Sequence, residues 1–227
     1  MINKFVSSVA EALEGIADGS VVLVGGFGEV GQPLALIDGL IEQGARELIL
    51  VHNNAGVGQL GLARLLALGR VRKVICSFPR SSGSIVFQQL YKERKVELEL
   101  VPQGTLAERI RAAGAGIAGF YTATAAGTQL GERKETREFD GRSCVLETAL
   151  RGDVALVEAW SADRWGNLNY KESGRNFNPV MATAAKLTVV QAQHMVELGQ
   201  MDPEGIVTPG IFVNRVVHIP NGIPTVP

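Results

Sequence analysis

The chain has 227 residues, and 22 Lys and Arg against 23 Asp and Glu give a formal charge of −1. That balance excludes a protein held to nucleic acid or an anionic membrane by bulk charge, and 46% hydrophobic with 20% charged residues excludes a disordered chain. No apolar run approaches the ~20 residues of a spanning helix, and the first fifteen residues lack the basic head and apolar core of a secretion signal. Two cysteines, Cys76 and Cys144, are too few for a disulfide framework or a four-ligand zinc site, so the expectation is a cytoplasmic protein with reduced thiols and no metal.

In chain order, Ile2, Phe5, Val6, Val9 and Leu13 recur at helical spacing and predict an amphipathic helix over 3–15, ended by Gly15. A β-branched run at 21–24 predicts a buried strand, residues 25–31 a glycine-rich loop, and Pro33 the start of a helix to about residue 42. The unit then repeats. Strands are expected at 48–51, 71–76 and 96–101, with helices at 62–68 and 85–94 between them. Thr105 and Glu108 have the spacing of a capping box and predict a helix through 113. Residues 114–128 read as a long ordered loop, and Asp140-Gly141 as a hairpin turn. Further strands are expected at 154–160, 168–170 and 212–217, a short helix at 179–186, and a frayed tail from Pro220. Strand starts about 25 residues apart fit compact right-handed crossovers. The fold class expected is therefore α/β, an open, mostly parallel sheet with helices on both faces and a glycine-rich loop after the first strand. No Ser/Pro linker divides the chain, so residues 1–227 read as one domain.

Glycine is in excess, 27 of 227 residues against the usual ~7%, and the excess falls in bursts between apolar runs. Gly26-Phe27-Gly28-Glu29-Val30-Gly31 matches G-x-G-x-x-G between a predicted strand and helix, where backbone N–H groups and a helix N-terminus can meet phosphate. A nicotinamide-dependent oxidoreductase also needs an acid after the second strand of that unit to hold a ribose. That strand ends in His52-Asn53-Asn54 instead, and Glu47 stands at its beginning. No Gly-Lys-Ser/Thr follows for a Walker loop. Asn53 and Gln103 come after predicted strands, at the carboxyl edge where such sheets bind ligands. Neutral amides there suit a substrate carboxylate or an oxyanion, while a turn role is the alternative. His52, His194 and His218 are scattered and form no metal spacing.

Asp18-Gly19, Val22-Leu23-Val24, Gly25-Gly26-Phe27, Gly31 and Pro33 together resemble the first signature of the family I coenzyme A transferases. Asn53-Asn54-Ala55-Gly56, the run from Pro102 to Arg111, Phe120-Tyr121-Thr122 and Glu135-Thr136-Arg137-Glu138 continue the resemblance. Asp163-Arg164-Trp165-Gly166-Asn167 and Arg175-Asn176-Phe177-Asn178 complete it in family order. The chain resembles an A (alpha) subunit. The resemblance implies transfer of CoA, as substrate, from an acyl-CoA such as succinyl-CoA to a 3-oxo acid through a glutamyl anhydride and an enzyme–CoA thioester, with no resident cofactor. It also implies a partner B (beta) subunit, because the family's nucleophilic glutamate lies in a Ser-Glu-Asn-Gly segment, and no Glu-Asn occurs in this chain.

By the same resemblance, Gly25, Gly26, Phe27, Gly28, Glu29, Val30 and Gly31 form the CoA-binding loop. Asn53 and Gln103 are the candidate substrate amides, and this chain holds no catalytic nucleophile. Cys76-Ser77-Phe78-Pro79-Arg80 resembles the variant in members acting on 3-oxoadipate in aromatic degradation, with Arg80 a candidate for the acceptor's second carboxylate or simply an exposed helix start. The competing readings are the alpha subunit of an acetoacetate or short-chain fatty acid CoA-transferase, an NAD(P)-binding oxidoreductase, and a non-catalytic CoA-binding module.

Overall fold

The computed structural model describes residues 2–81 and 83–220. A short strand β1 (Phe5–Val6) and helix α1 (Val9–Ala12) precede the repeating unit. That unit runs β2 (Val21–Val24), α2 (Leu34–Gln43), β3 (Leu48–Val51), α3 (Gly61–Ala67), β4 (Val71–Cys76), α4 (Ile85–Lys92), β5 (Glu97–Leu100) and α5 (Gln103–Gly114). Next come β6 (Gly119–Thr122), β7 (Thr136–Phe139) and β8 (Arg142–Thr148). The chain then continues through β9 (Gly152–Ala162), β10 (Leu168–Asn169), α6 (Asn178–Ala182), β11 (Ala185–Met195) and β12 (Arg215–His218).

The main sheet has the order β1-β12-β11-β9-β2-β3-β4-β5, every neighbour parallel, with β10 antiparallel to the end of β9. From β2 the chain winds outward through β3, β4 and β5. It then returns to the other side of β2 as β9 and winds outward again through β11 and β12. Strand order therefore reverses between β2 and β9, and open α/β sheets bind ligands in the crevice at the carboxyl ends beside such a point. The period of two along each strand divides the core between two faces. Val22, Val24 and Leu50 pack against Leu36, Leu40, Leu62 and Leu66 of α2 and α3. Leu23, Val51 and Val157 pack against Leu106, Ile110 and Met181 of α5 and α6. Helices thus cover both faces, as the alternation predicts. Among the described residues no helix is long and apolar enough to cross a membrane.

Four local expectations are corrected. Residues 3–15 are not one helix: Phe5 and Val6 extend to pair with Val216 and Val217, and the helix is confined to Val9–Ala12. Its cap is Ser8, whose side chain accepts from the Glu11 N–H at 3.1 Å. No capping box opens α5, which starts at Gln103 after Pro102, leaving Thr105 buried within the helix. The segment expected as loop contains β6, an outer strand of a three-stranded antiparallel sheet in the order β6-β8-β7. Asp140 and Gly141, both at positive φ, make its hairpin turn. That sheet is tied to α5 and β5 through Glu147, which pairs with Lys134 and lies 3.9 Å from Arg109, while Arg109 also binds Glu99 at 2.9 Å. Finally, the helix expected at 179–186 stops at Ala182, and Lys186 belongs to β11. Local pattern does not announce this eleven-residue strand, because Thr188 and Gln191, both buried, interrupt its apolar run. The expectation of a frayed tail from Pro220 lies, beyond that first residue, outside the described residues.

Candidate active site

The glycine-rich segment leaves β2 at the reversal point. Gly25 still belongs to the ladder, donating to the Leu156 carbonyl at 2.9 Å. Phe27 and Val30 then bond each other in both directions, N–H to carbonyl, at 2.9 and 3.1 Å, making a tight hairpin with Gly28 and Glu29 at its tip. The glycines serve different purposes. A Cβ on Gly25 would collide with the Asn178 amide, and one on Gly31 would come within 2.7 Å of the Gly174 carbonyl. At Gly28 (φ 62°) a Cβ would meet nothing within 4 Å. Of these three, the tip glycine faces open space; the flanking ones are glycine because the chain itself packs there.

The helix after the hairpin does not offer its N-terminus to a ligand. Gln191, on β11, accepts from the Ala35 N–H at 3.0 Å and the Leu36 N–H at 3.3 Å, capping α2 with a buried side chain. A dinucleotide pyrophosphate would need those donors. With no acid following β3 either, the oxidoreductase reading fails.

The two candidate amides, fifty residues apart in sequence, meet in space. Gln103 Nε2 donates to Asn53 Oδ1 at 2.7 Å, and Ser77 Oγ donates to the same oxygen at 3.0 Å. Asn53 follows β3, Ser77 follows β4 and Gln103 opens α5 after β5, so three carboxyl strand ends converge. With Oδ1 saturated by two donors, the group Asn53 can present to a ligand is its Nδ2 amide. The turn alternative holds for Asn54, whose Oδ1 accepts from the Gly56 N–H at 2.9 Å.

A cavity of about 420 Å³ opens at this network, lined by Asn53, Ser77, Gln103, Phe27, Gly28 and Phe78 among others, and no carboxylate stands among the described residues of its wall. Phe27 and Gln103 also line a neighbouring cavity of about 670 Å³ running along α5 to Phe177 and Val180. Both volumes are in the ~300–1,000 Å³ range of ligand sites. Phe78 and Ser81 line the first cavity; Arg80, between them, is exposed and does not. Nor does it start a helix, since α4 begins at Ile85. Beyond the hairpin, a third cavity of about 320 Å³ is lined by Val30, Gly31, Glu158, Trp160, Lys171 and Gln193. Burial raises the pKa of Glu158 against the opposing hydrogen bond from Gln193.

His52 lies beneath the hairpin, fully buried, with Nδ1 2.8 Å from the Val24 carbonyl. Burial pushes its pKa down to about 4 despite nearby carbonyls, so the ring is neutral at physiological pH. Among the described residues no group of His, Cys, Asp or Glu is placed to hold a metal ion. Asn178 is the residue that sequence reasoning places only within a motif. The glycine at position 25 is its signal, because something must fill the space a Cβ leaves.

A family model described as Coenzyme A transferase matches residues 6–218. The chain belongs to this family. It is 59% identical over 219 residues to the A subunit of the 3-oxoadipate CoA-transferase of Pseudomonas putida, covering 96% of this chain and 95% of that one. The A subunit of a probable succinyl-CoA:3-ketoacid coenzyme A transferase of Bacillus subtilis is 48% identical, covering 95% of this chain and 90% of that protein. An acyl-CoA transferase from Escherichia coli O157:H7, crystallised as a thioester complex with CoA, shares the fold with a TM-score of 0.84 at 23% identity. The match covers 98% of this chain and 52% of the E. coli one, so the chain spans about half the length of that transferase.

Proposed function

We propose that this chain is the alpha subunit of a cytoplasmic 3-oxoacid CoA-transferase that moves CoA from succinyl-CoA to 3-oxoadipate. A separate beta subunit supplies the catalytic glutamate. The observation that carries the reading is the amide-lined cavity at the carboxyl ends of β3, β4 and β5, beside the glycine hairpin that leaves the strand-order reversal and without a carboxylate of its own. The 59% identity to one chain of a 3-oxoadipate CoA-transferase supports that acceptor. The phenyl rings of Phe27 and Phe78, half exposed at the cavity, suit a mouth that the partner subunit closes.

In this mechanism the partner's glutamate attacks the succinyl-CoA carbonyl, forming an acyl-glutamyl anhydride and releasing CoA thiolate. The thiolate attacks the glutamyl carbonyl, succinate leaves, and an enzyme–CoA thioester remains. The carboxylate of 3-oxoadipate then attacks that thioester, and the two steps run in reverse to give 3-oxoadipyl-CoA and the free glutamate. The contribution of this chain is to bind and orient. The hairpin from Gly25 to Gly31 meets the CoA chain at its Gly28 tip. Asn53 Nδ2 donates to the substrate carboxylate or to the developing oxyanion, held in place by Ser77 and Gln103. A neutral amide does this without neutralising the attacking glutamate, as a lysine or arginine would.

The test is reconstitution. The chain alone is expected to show no transfer and to form no thioester with CoA. Mixed with its beta partner it should transfer CoA, and hydroxylamine trapping should label a glutamate of that partner. An adduct on Glu29, Glu158 or any other acid of this chain refutes the half-site reading. A kcat/KM for acetoacetate equal to or above that for 3-oxoadipate refutes the acceptor.

A further inference from the structure

Two asparagines, Asn176 just before α6 and Asn178 at its first residue, grip the outgoing limb of the glycine hairpin. Asn178, fully buried, donates through Nδ2 to the carbonyls of Gly31 and Gly174, each at 2.9 Å, and accepts from the Glu158 N–H at 2.9 Å. Its amide is saturated, and it joins β9, the hairpin and the 3-10 turn over Glu172–Arg175 at one point. Asn176 donates through Nδ2 to the Val30 carbonyl at 3.0 Å and to the Ser173 carbonyl at 2.7 Å, while its Oδ1 accepts from the Phe177 N–H. A Cβ on Gly25 would enter the Asn178 amide, and one on Gly31 would approach Asn176 Nδ2 at 2.9 Å and Asn178 Nδ2 at 3.0 Å. The two glycines and the two asparagines are therefore parts of one joint.

We propose that Asn176 and Asn178 are positioning residues for acyl-CoA, fixing the height of the Gly28 tip over the sheet edge without touching the reacting atoms. The inference rests on the reading of the hairpin as the CoA contact and assigns the control of its position. The physical reason is one of reach. The hairpin's own two hydrogen bonds hold Phe27 to Val30 but say nothing about where the pair stands on the sheet. On the incoming side Gly25 is laddered to β9, and Gln32, just past the hairpin, donates to the carbonyl of Gly28 at its tip. On the outgoing side, the carbonyls of Val30 and Gly31 are bonded to these two side chains. A misplaced hairpin loses contacts that ground state and transition state share, which raises KM and leaves kcat in place.

Two variants of the reconstituted two-subunit complex test this. Asn178→Asp keeps the acceptor for the Glu158 N–H but turns a carboxylate oxygen toward two carbonyls, pushing the limb away. Asn176→Ala, in a partly exposed position, removes the Val30 and Ser173 anchors together with the acceptor for the Phe177 N–H, and keeps the measurement available should Asn178→Asp fail to fold. Hydrogen exchange of the amides in 25–32 should rise in each folded variant, while the KM for succinyl-CoA rises about tenfold and kcat holds within about threefold. A purely structural role would lower the amount of active enzyme and leave that KM unchanged. In the wild-type complex, CoA itself should protect the 25–32 amides. That readout needs no turnover, so a complex that protects the hairpin yet transfers no CoA would overturn the proposed function alone. Unprotected hairpin amides in the presence of CoA, hairpin exchange unaltered in the folded variants, or an unaltered KM would overturn the positioning role.

Discussion

Replacing Asn53 by Asp changes one atom of the candidate site and leaves its scaffold in place. Ser77 Oγ and Gln103 Nε2 both donate to Asn53 Oδ1, at 3.0 and 2.7 Å, and a carboxylate oxygen accepts both bonds at least as well. The fold should therefore survive, with a loss of thermal stability at neutral pH confined to the burial of the new charge. What disappears is the Nδ2 donor, replaced by an acceptor facing the substrate. Loss of one oxyanion donor costs about 10²–10³ in kcat, or about 2.7–4 kcal/mol. A carboxylate about 4 Å from the substrate's own adds repulsion of order 4 kcal/mol at an effective dielectric of 20. The reconstituted Asn53→Asp enzyme should thus lose at least ~10³-fold in rate. Burial of position 53 disfavours the charged form of the new acid. Its protonated form can donate, so activity should recover as the pH is lowered, a trend absent from the wild type. The assay is the steady-state rate of 3-oxoacyl-CoA formation between about pH 5 and 8, spanning a raised carboxyl pKa. A variant within about threefold of wild type at neutral pH, or one with no acid-side recovery, would refute the donor role.

Glycine substitutions in the hairpin should separate packing from ligand approach. Gly25→Ala meets the Asn178 amide and should lower the melting temperature sharply, whereas Gly28→Ala enters open space and bears only the strain of φ 62°, about 1–2 kcal/mol, read by thermal denaturation. Glu147→Ala removes the carboxylate that Lys134 binds while Arg109 keeps Glu99, and should cost about 1–3 kcal/mol, with increased hydrogen exchange across β7 and β8. Burial pushes Glu99 upward, yet hydrogen bonds from Arg109 and Lys73 outweigh it and hold the carboxyl below its ordinary value. A depressed carboxyl contributes stability above its unfolded pKa, near ~4.3, and loses that contribution as the pH falls through the folded value. Melting temperature measured from neutral to acid pH should therefore fall less steeply in Glu99→Gln than in the wild type.

The βα repeat from β2 to β5 is legible because each of its elements announces itself locally. Strands such as Leu48–Val51 are short apolar runs, and glycines such as Gly44, in the left-handed conformation at φ 95°, mark where helices end. The glycine segment, Asn53 and Gln103 are legible too, since position at a carboxyl strand end follows from chain order alone. Local pattern fails where distant residues define the element. Phe5 and Val6 are a strand only because Val216 and Val217 lie beside them, and β11 carries polar residues that make sense only as a cap on α2 and a bond to Ala182. The same holds within the site. No spacing rule brings Asn53 to Gln103, or Asn178 to Gly31; the first contact exists because β3, β4 and β5 end side by side in the sheet, and the second because the return of the chain sets β9 against β2 where strand order reverses. Chain order and residue type are enough to say which side chains stand at the sheet's edge. Folding selects which of them face one another, which glycines are spaces for a neighbour, and which helix end is closed to a ligand, because hydrogen-bond partners are chosen by proximity in space and not along the chain.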